Sequence, residues 1–430
     1  MNDAAAPAVQ AVVPAPPAAQ YPQAPPPPLP APAGYPPAPP PGMTAVIYQA
    51  YLGGPQQIYY VPAGTQPHAQ AGFLEGLQSR IRSLASTDRL EGFSLGEMFS
   101  EVFKRRGHDA MEDYIMVGTV KTTPPLDLVE TGWPKPWMFF RVLATLVIAY
   151  VVLAVMFHFT TNQNLVPGLL LLGSFATPLA TLTLFFELNT PRNVSMYMVG
   201  KLFITGAVVS LCAALVLYML PVFDLLTMEA GIVEECAKLF AVIVVVRSVR
   251  FKYELNGILF GATVGAGFSA FETMGYGLQS FLPAFIQGLQ QAGTSQAGQN
   301  QALSAATAAM MGELFLRMFT AAPLGHMVWT AISAGAFWRV KQDRPFSAGM
   351  LLDKRFLKLF AVPVVLHAIW DAPIQLPFLG NEIVAGVIGW YVLFTLVQQG
   401  LRQVKEEQKT QLQSTLANVE ATLGLGTVRA

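Results

Sequence analysis

The chain places three ionisable residues in a mainly apolar segment that is long enough to cross a lipid bilayer. Glu234, Glu235 and Lys238 lie between Phe223 and Val246, and about 20 apolar residues suffice to span the hydrocarbon core. A charged group at that depth costs roughly 2.5–3.5 kcal/mol even on insertion scales. Groups kept at such a cost usually have a function, so these three residues define the first candidate site.

Further ionisable residues occur at membrane depth in later apolar segments. The full set is Glu229, Glu234, Glu235, Lys238, Glu272, Glu313, Arg317, His326, His367 and Asp371. We interpret Glu313 and Arg317, four residues apart, as a structural or interfacial pair. Because the remaining groups lie on successive segments, we expect one subset of helices to hold a shared polar centre.

Spacing along the helices suggests which groups act together. His367 and Asp371 are four residues apart, as are Glu234 and Lys238, so each pair shares a helix face. A carboxylate beside an imidazole fixes its tautomer and leaves the second ring nitrogen for substrate, water or metal. We therefore expect Asp371 to orient His367, and Lys238 to balance the charge of the glutamates. A proline three residues before His326 predicts a kink near the site.

Peptide hydrolysis is a reaction that these residue types can support. It requires a base that activates water and groups that stabilise the oxyanion. We expect Glu234 or Glu235 to be the base, and the residues alone do not choose between them. The expected water-, metal- or transition-state-binding residues are Glu272, His326 and His367.

The composition indicates which elements position these residues. Apolar residues make up 53% of the chain and charged residues 12%, whereas soluble domains carry about 25% charged residues. We expect an all-α, polytopic membrane helical bundle. Its eight predicted membrane-spanning segments are 137–158, 166–186, 196–220, 223–247, 256–278, 312–338, 356–376 and 382–401.

The distribution of basic residues sets the orientation of this bundle. Lys and Arg occur before the first segment, in the second, fourth and sixth connections and in the C-terminal tail. The first, third, fifth and seventh connections contain neither residue. This alternation follows the positive-inside rule and predicts an integral membrane protein with both termini in the cytoplasm. The expected location is the cell's inner or plasma membrane.

The chain is predicted to consist of this bundle and of further regions before and after it. Residues 1–70 are rich in Pro and Ala and are predicted to be a disordered tail. Residues 71–135 are predicted to form amphipathic helices at the inner membrane surface, or alternatively a small partner-binding element. Residues 136–401 form the membrane domain, and 402–430 are predicted to be a cytoplasmic polar tail. The fifth connection, 279–311, is predicted to be a polar loop or an interfacial gating helix.

Four motifs on successive predicted helices resemble the PrsW family of intramembrane proteases, within the superfamily of CAAX-processing membrane peptidases. In chain order they are Glu234-Glu235-Cys236-Ala237-Lys238, Phe268-Ser269-Ala270-Phe271-Glu272, Ala322-Pro323-Leu324-Gly325-His326 and His367-Ala368-Ile369-Trp370-Asp371. The resemblance covers roughly residues 200–400. It adds Phe268 as a supporting residue. The relatives that the resemblance implies include metal-dependent and metal-free enzymes. If a metal is bound, we expect zinc held by Glu272, His326 and His367.

The resulting hypothesis is an intramembrane endopeptidase that cuts a membrane-anchored protein at or near the outer face. The resemblance implies a signalling regulator such as an anti-sigma factor as one substrate. The expected partners are its substrate and the lipid bilayer, and no nucleic acid. The Pro-rich tail is predicted to be a solubilising segment, or alternatively a docking site for a cytoplasmic partner. Two alternatives stay open from the sequence: a proton- or ion-coupled transporter, and an inactive scaffold that binds transmembrane segments.

Overall fold

The computed structural model describes residues 43–49, 56–62, 90–220, 229–246, 250–374 and 376–423. Two strands come first, β1 (Met43–Gln49) and β2 (Gln56–Pro62). The helices are α1 (Leu95–Met98), α2 (His108–Ile115), α3 (Met138–Thr160), α4 (Val166–Leu188), α5 (Met196–Tyr218), α6 (Glu229–Val245), α7 (Glu254–Ala292), α8 (Gln296–Thr320), α9 (Met327–Lys341), α10 (Lys354–Trp370) and α11 (Gly380–Leu423).

Five helical stretches within the described residues are long and apolar enough to cross a membrane. They are Met138–Thr160, Gln163–Leu188, Met196–Tyr218, Gln296–Lys341 and Gly380–Val419. The prediction of eight membrane-spanning helices is therefore not confirmed, although helices occupy the other three positions. Two of these, α6 and α10, are described over 17 residues each. The third, α7, is long, but its glycines and polar residues lower its hydropathy. These three helices carry Glu234, Glu272 and His367.

The predicted disordered tail contains a pair of strands. β1 and β2 pair in antiparallel register, with Met43 opposite Pro62 and Gln49 opposite Gln56. The consecutive Val, Ile and Tyr residues of these segments favour strand structure, a local signal that the Pro- and Ala-rich composition of residues 1–70 concealed. The other residues of the predicted tail lie outside the described part of the chain. The pair belongs to a separate unit, residues 1–73.

Glycines on α7 bring its backbone into direct contact with α9 and with the segment that carries His326. A Cβ at Gly261 would lie 2.2 Å from the carbonyl oxygen of Thr330, and a Cβ at Gly265 would lie 2.5 Å from that of His326. Such close approach is a typical use of small residues between membrane helices. It sets the distance between Glu272 on α7 and His326.

The helix that contains His326 is broken at the predicted position. α8 ends at Thr320, a π-helical turn covers Ala321–His326, and Gly325 within it has non-helical φ and ψ of −120° and −116°. Pro323 lacks the N–H of a regular helix, which accounts for the kink. α11 supports the turn, because the indole of Trp390 donates a hydrogen bond to the carbonyl oxygen of Pro323 over 2.7 Å.

The predicted fifth connection is helical over almost its whole length. α7 continues to Ala292 and α8 begins at Gln296, so only three residues join them. A Cβ at Gly288 would lie 2.6 Å from Cβ of Ala302. Such close packing allows the two helices to form a tight antiparallel hairpin, which the many glutamines of this region concealed. The prediction of a polar loop was therefore wrong. The alternative of a helix in this connection is confirmed, and its interfacial gating role stays a prediction.

The two flanking regions differ from their predicted boundaries. α11 runs without interruption to Leu423, so the predicted polar tail from residue 402 begins inside a helix. Its Gln408 donates hydrogen bonds to the carbonyl oxygens of Leu126 and Val129 over 2.6 and 2.7 Å. Of the predicted juxtamembrane helices, the first lies outside the described residues, and the second ends at Met98, which is buried in the main hydrophobic cluster.

The close contact at Gly265 can be tested by adding one methyl group. We expect Gly265→Ala to lower stability by about 1–3 kcal/mol, as overpacking does, because the new Cβ meets the backbone at His326. The measurement is the midpoint of thermal unfolding in detergent. Gly275→Ala on the same helix is the control, since a Cβ there meets nothing within 4 Å. Equal midpoints for the two variants would contradict the proposed contact.

Candidate active site

The residues singled out in the sequence come together at the junction of four helical segments. Glu234, Glu235 and Lys238 lie on α6, and Glu272 lies on α7. The remaining members are His326, at the end of the π turn, and His367 in the last turn of α10, followed by Asp371. All belong to the described part of the chain.

The Lys238 ammonium group lies at the centre of the site. Its side chain is fully buried. Nζ is 2.8 Å from Oε1 of Glu235, 3.2 Å from Oε2 of Glu234 and 2.9 Å from Nδ1 of His326. It also lies 4.4 Å from the ring centroid of Phe268, within the range of a cation–π contact. Lys238 therefore links both glutamates to His326.

Two hydrogen bonds define the tautomer of His326. A protonated lysine has donors and no acceptor, so Nδ1 of His326 accepts from Lys238. Nε2 then carries the ring proton and donates to Oε2 of Glu272 over 2.9 Å. The ring also packs against Phe268, with centroids 5.3 Å apart. Phe268 thus contacts both Lys238 and His326, which gives a physical reason for its presence in the motif.

His367 lies between carboxylates on both sides of its ring. Nδ1 is 3.3 Å from Oε1 of Glu235, while Nε2 is 3.4 Å from Oδ2 of Asp371 and 3.7 Å from Oε2 of Glu234. The indole of Trp329 covers one face, with centroids 4.5 Å apart. The predicted neighbour Asp371 is present, but Glu235 supplies a second contact that spacing within one helix could not reveal.

Arg317 belongs to this site, which corrects the interpretation of Arg317 and Glu313 as a structural or interfacial pair. Its Nη2 lies 2.5 Å from Oε2 of Glu272, and its Nε donates to Oγ1 of Thr273 over 3.2 Å. Spacing within one helix led to the earlier pairing, whereas the partner lies on the adjacent helix of the hairpin. Sequence reasoning had no measure of how α7 and α8 align.

A cavity of about 340 Å³ opens onto these residues. Its lining includes Glu234, Glu272, His326 and His367, together with two tyrosines that the sequence analysis missed, Tyr218 and Tyr276. The Tyr218 hydroxyl donates to Oε1 of Glu234 over 3.2 Å. Tyr276 is four residues after Glu272, so its position on the same helix face was available as a signal.

The two adjacent glutamates differ in their environments. Glu235 is fully buried, and its Oε1 contacts both Lys238 and His367. Glu234 lines the cavity and is 8% exposed. Its Oε2 is within 3.2 Å of Lys238 Nζ, yet it accepts no well-formed hydrogen bond from a described residue. A buried carboxylate oxygen with unused acceptor capacity is suited to bind water or a cation.

One group of side chains has the composition of a metal site. Glu234, His326 and His367 each offer a ligand atom, and these atoms lie within 4.8 Å of one another. Two imidazoles and a carboxylate are a common ligand set for catalytic zinc. In this group Glu234 takes the place expected for Glu272, whose carboxylate instead contacts Arg317 and His326. The residue types therefore fit a metal ion, which at Nδ1 of His326 would take the place that Lys238 Nζ holds in this structure.

Comparison with known proteins identifies the region that contains this site. Residues 194–397 match the model of the PrsW family intramembrane metalloproteases. No curated protein and no solved structure matches the chain. The matched region runs from just before α5 into α11 and includes all the motif residues described above. This match confirms the resemblance drawn from the four motifs: residues 194–397 are similar to the PrsW family of intramembrane metalloproteases.

Proposed function

We propose that this domain is an endopeptidase that cuts membrane-anchored proteins, and that Glu234 is the carboxylate that takes a proton from the attacking water. The observation that carries the proposal is that Glu234 lines a cavity beside two histidines, whereas Glu235 does not. Oε2 of both glutamates is buried without a well-formed hydrogen bond from a described residue. A base needs hydrogen-bond access to the water that it deprotonates, and the place of Glu234 in the cavity lining supplies that access.

Glu235 has a positioning role in this proposal. Its Oε1 contacts Lys238 Nζ and His367 Nδ1, and its side chain is enclosed by protein. If Nδ1 of His367 donates to Glu235, Nε2 is left without a proton and turned toward Glu234 and Asp371. Glu235 would then fix the tautomer of His367, and the unprotonated Nε2 would need a donor, such as a water or a cation, between it and the carboxylates of Glu234 and Asp371.

The other residues stabilise charge as the reaction proceeds. Hydrolysis places negative charge on the carbonyl oxygen of the substrate, and preorganised donors lower the free energy of that state. Tyr218 lines the cavity and carries a hydroxyl group that can donate. Lys238 keeps a positive charge against Glu234 and Glu235, which offsets the cost of two carboxylates on one buried helix.

A metal ion fits the same residues in an alternative form of this proposal, in which Glu234 is a metal ligand instead of the base. Glu234, His326 and His367 would hold it, and zinc is the ion that this ligand set favours. When bound, zinc lowers the pKa of a coordinated water and polarises a carbonyl group. Glu272 would not bind the ion itself. Its carboxylate contacts His326 and Arg317, so it would orient the ligand His326.

Substitution of the two glutamates separates the proposed base from its neighbour. We expect Glu234→Gln to reduce cleavage of a membrane-anchored substrate by at least about 100-fold, the usual contribution of a general base. Glu235→Gln keeps one amide donor and one acceptor, so a smaller loss is expected. The measurement is the rate of cleavage by purified protein in liposomes, with Glu313→Gln as the control outside the cavity.

Two results of these cleavage measurements would contradict the proposal. Full activity of Glu234→Gln would exclude Glu234 as the base. A wild-type protein that cuts none of a panel of membrane-anchored candidates would instead favour the inactive scaffold.

The metal assignment is tested by the metal content of purified variants. We expect His326→Ala and His367→Ala to lose bound zinc, whereas Glu272→Gln retains it, because Glu272 lies outside the group of Glu234, His326 and His367. A chelator should stop cleavage by the wild type, and added zinc should restore it. Retention of zinc by both histidine variants would contradict this ligand set.

We also propose that the chain crosses the membrane eight times with both termini in the cytoplasm. The alternation of Lys and Arg between connections supports this topology. Reporter fusions test it. A reporter fused after Arg250 should show the activity of a cytoplasmic location. A reporter fused after Gln299, close to the turn that joins α7 and α8, should show the activity of a location outside the cell membrane. The opposite result at either position would contradict the proposed topology.

A further inference from the structure

We propose that Arg317 is a positioning residue of the hydrolytic site, which holds Glu272 in the orientation that accepts the Nε2 proton of His326. The inference rests on the proposed function of this site and extends it to a residue outside the four motifs. Arg317 lies on α8, one turn before the break, whereas the motif residues lie on α6, α7, the π turn and α10.

The guanidinium group of Arg317 is held on three sides. Nη2 contacts Glu272 Oε2, Nε donates to Thr273 Oγ1, and Cζ lies 4.1 Å from the ring centroid of Tyr276. All three partners belong to α7. A planar guanidinium with two hydrogen bonds and a stacked ring has little freedom to turn. Arg317 therefore presents a fixed donor to Glu272, which a flexible surface arginine would not do.

The same oxygen of Glu272 serves both Arg317 and His326. Oε2 is 2.5 Å from Nη2 of Arg317 and 2.9 Å from Nε2 of His326. Because Lys238 donates to Nδ1 of His326, the proton of the neutral ring is on Nε2 and needs an acceptor. Without Arg317, the Glu272 carboxylate is free to turn into the adjoining cavity. The hydrogen bond from Nε2 of His326 to Glu272 would then be lost.

The contact also joins the two sides of the helix break. Arg317 precedes the π turn and His326 ends it, so the turn separates two residues that meet at one carboxylate on α7. Backbone geometry around Gly325 departs from that of a helix and does not by itself fix the direction of the His326 side chain. The path from Arg317 through Glu272 to His326 supplies that constraint.

A second partly buried arginine provides a matched control. Nε of Arg339, on α9, lies 3.6 Å from Oε2 of Glu254, at the opposite end of α7. This pair also joins α7 to the helical segments that follow it, but it lies outside the lining of the catalytic cavity. Removing Arg339 therefore reports the general effect of losing an arginine–glutamate pair on α7.

Chemical rescue tests the proposal directly. We expect Arg317→Ala to reduce the cleavage rate by about 10- to 100-fold, the usual effect of losing a partner that orients a site histidine. The truncated side chain leaves space beside a cavity of about 340 Å³, so guanidinium at a non-denaturing concentration should restore part of the rate. Urea, which has a similar shape and no charge, should not. Arg317→Lys should keep more activity than Arg317→Ala.

The controls distinguish positioning from general stability. Guanidinium should not change the cleavage rate of Arg339→Ala, whatever the stability of that variant. Thermal unfolding of Arg317→Ala should show that it is folded at the assay temperature; if it is not, Arg317→Lys and Arg317→Gln carry the comparison. Wild-type rates for Arg317→Ala and Arg317→Gln, or equal rescue by urea and guanidinium, would overturn the proposal.

A second measurement does not depend on cleavage. Diethyl pyrocarbonate acylates unprotected imidazole nitrogens, and mass spectrometry locates the modified histidine. Both nitrogens of His326 have partners in the intact site, so its reactivity should rise in Arg317→Ala and fall again with guanidinium. If the wild type cuts nothing yet this pattern holds, the proposed function fails and the positioning role stands. Unchanged reactivity of His326 would overturn the positioning role.

Discussion

The ammonium group of Lys238 is the charge on which the arrangement of the site depends. It is enclosed by protein and lies within 3.2 Å of groups on α6 and on the π turn. Burial of one ion without partners is strongly unfavourable, and burial of a network is tolerated when every member is paired. Lys238 allows two adjacent glutamates to remain buried on one helix, and it sets the tautomer of His326. Neutral replacements would leave two carboxylates uncompensated.

Backbone contact through α7 makes this network possible. Short charged contacts need their helices at fixed separations, and glycine at 261 and 265 lets α9 and the His326 segment approach α7 until their carbonyl oxygens nearly touch it. The opposite side of α7 approaches α5 in the same way at Gly267, where a Cβ would lie 2.4 Å from the carbonyl oxygen of Phe203. α7 is thus the element against which the others are placed. Its low hydropathy follows from the same glycines.

The sequence predicted which residues form the site better than it predicted the contacts among them. Charges at membrane depth and i to i+4 spacing pointed to Glu234, Lys238, His367 and Asp371, because these signals are local. The contact of Arg317 with Glu272 depends on the alignment of two helices joined by a tight turn, and no local pattern encodes that alignment. The helical hairpin was missed for a related reason. Its glutamines resemble those of a loop, whereas its alanines and glycines at the contact allow close packing.

The hydrogen bond from Trp390 to Pro323 has a consequence for how the protein is made. A broken helix leaves carbonyl groups that need donors, and the hydrocarbon core offers no water to supply them. Here α11 supplies one, and it follows every motif residue in the chain. During synthesis from the N-terminus, α6 to α10 emerge first and the turn that carries His326 lacks this support. The candidate site is therefore held in its final geometry only after α11 has been made, later than the last of its own residues.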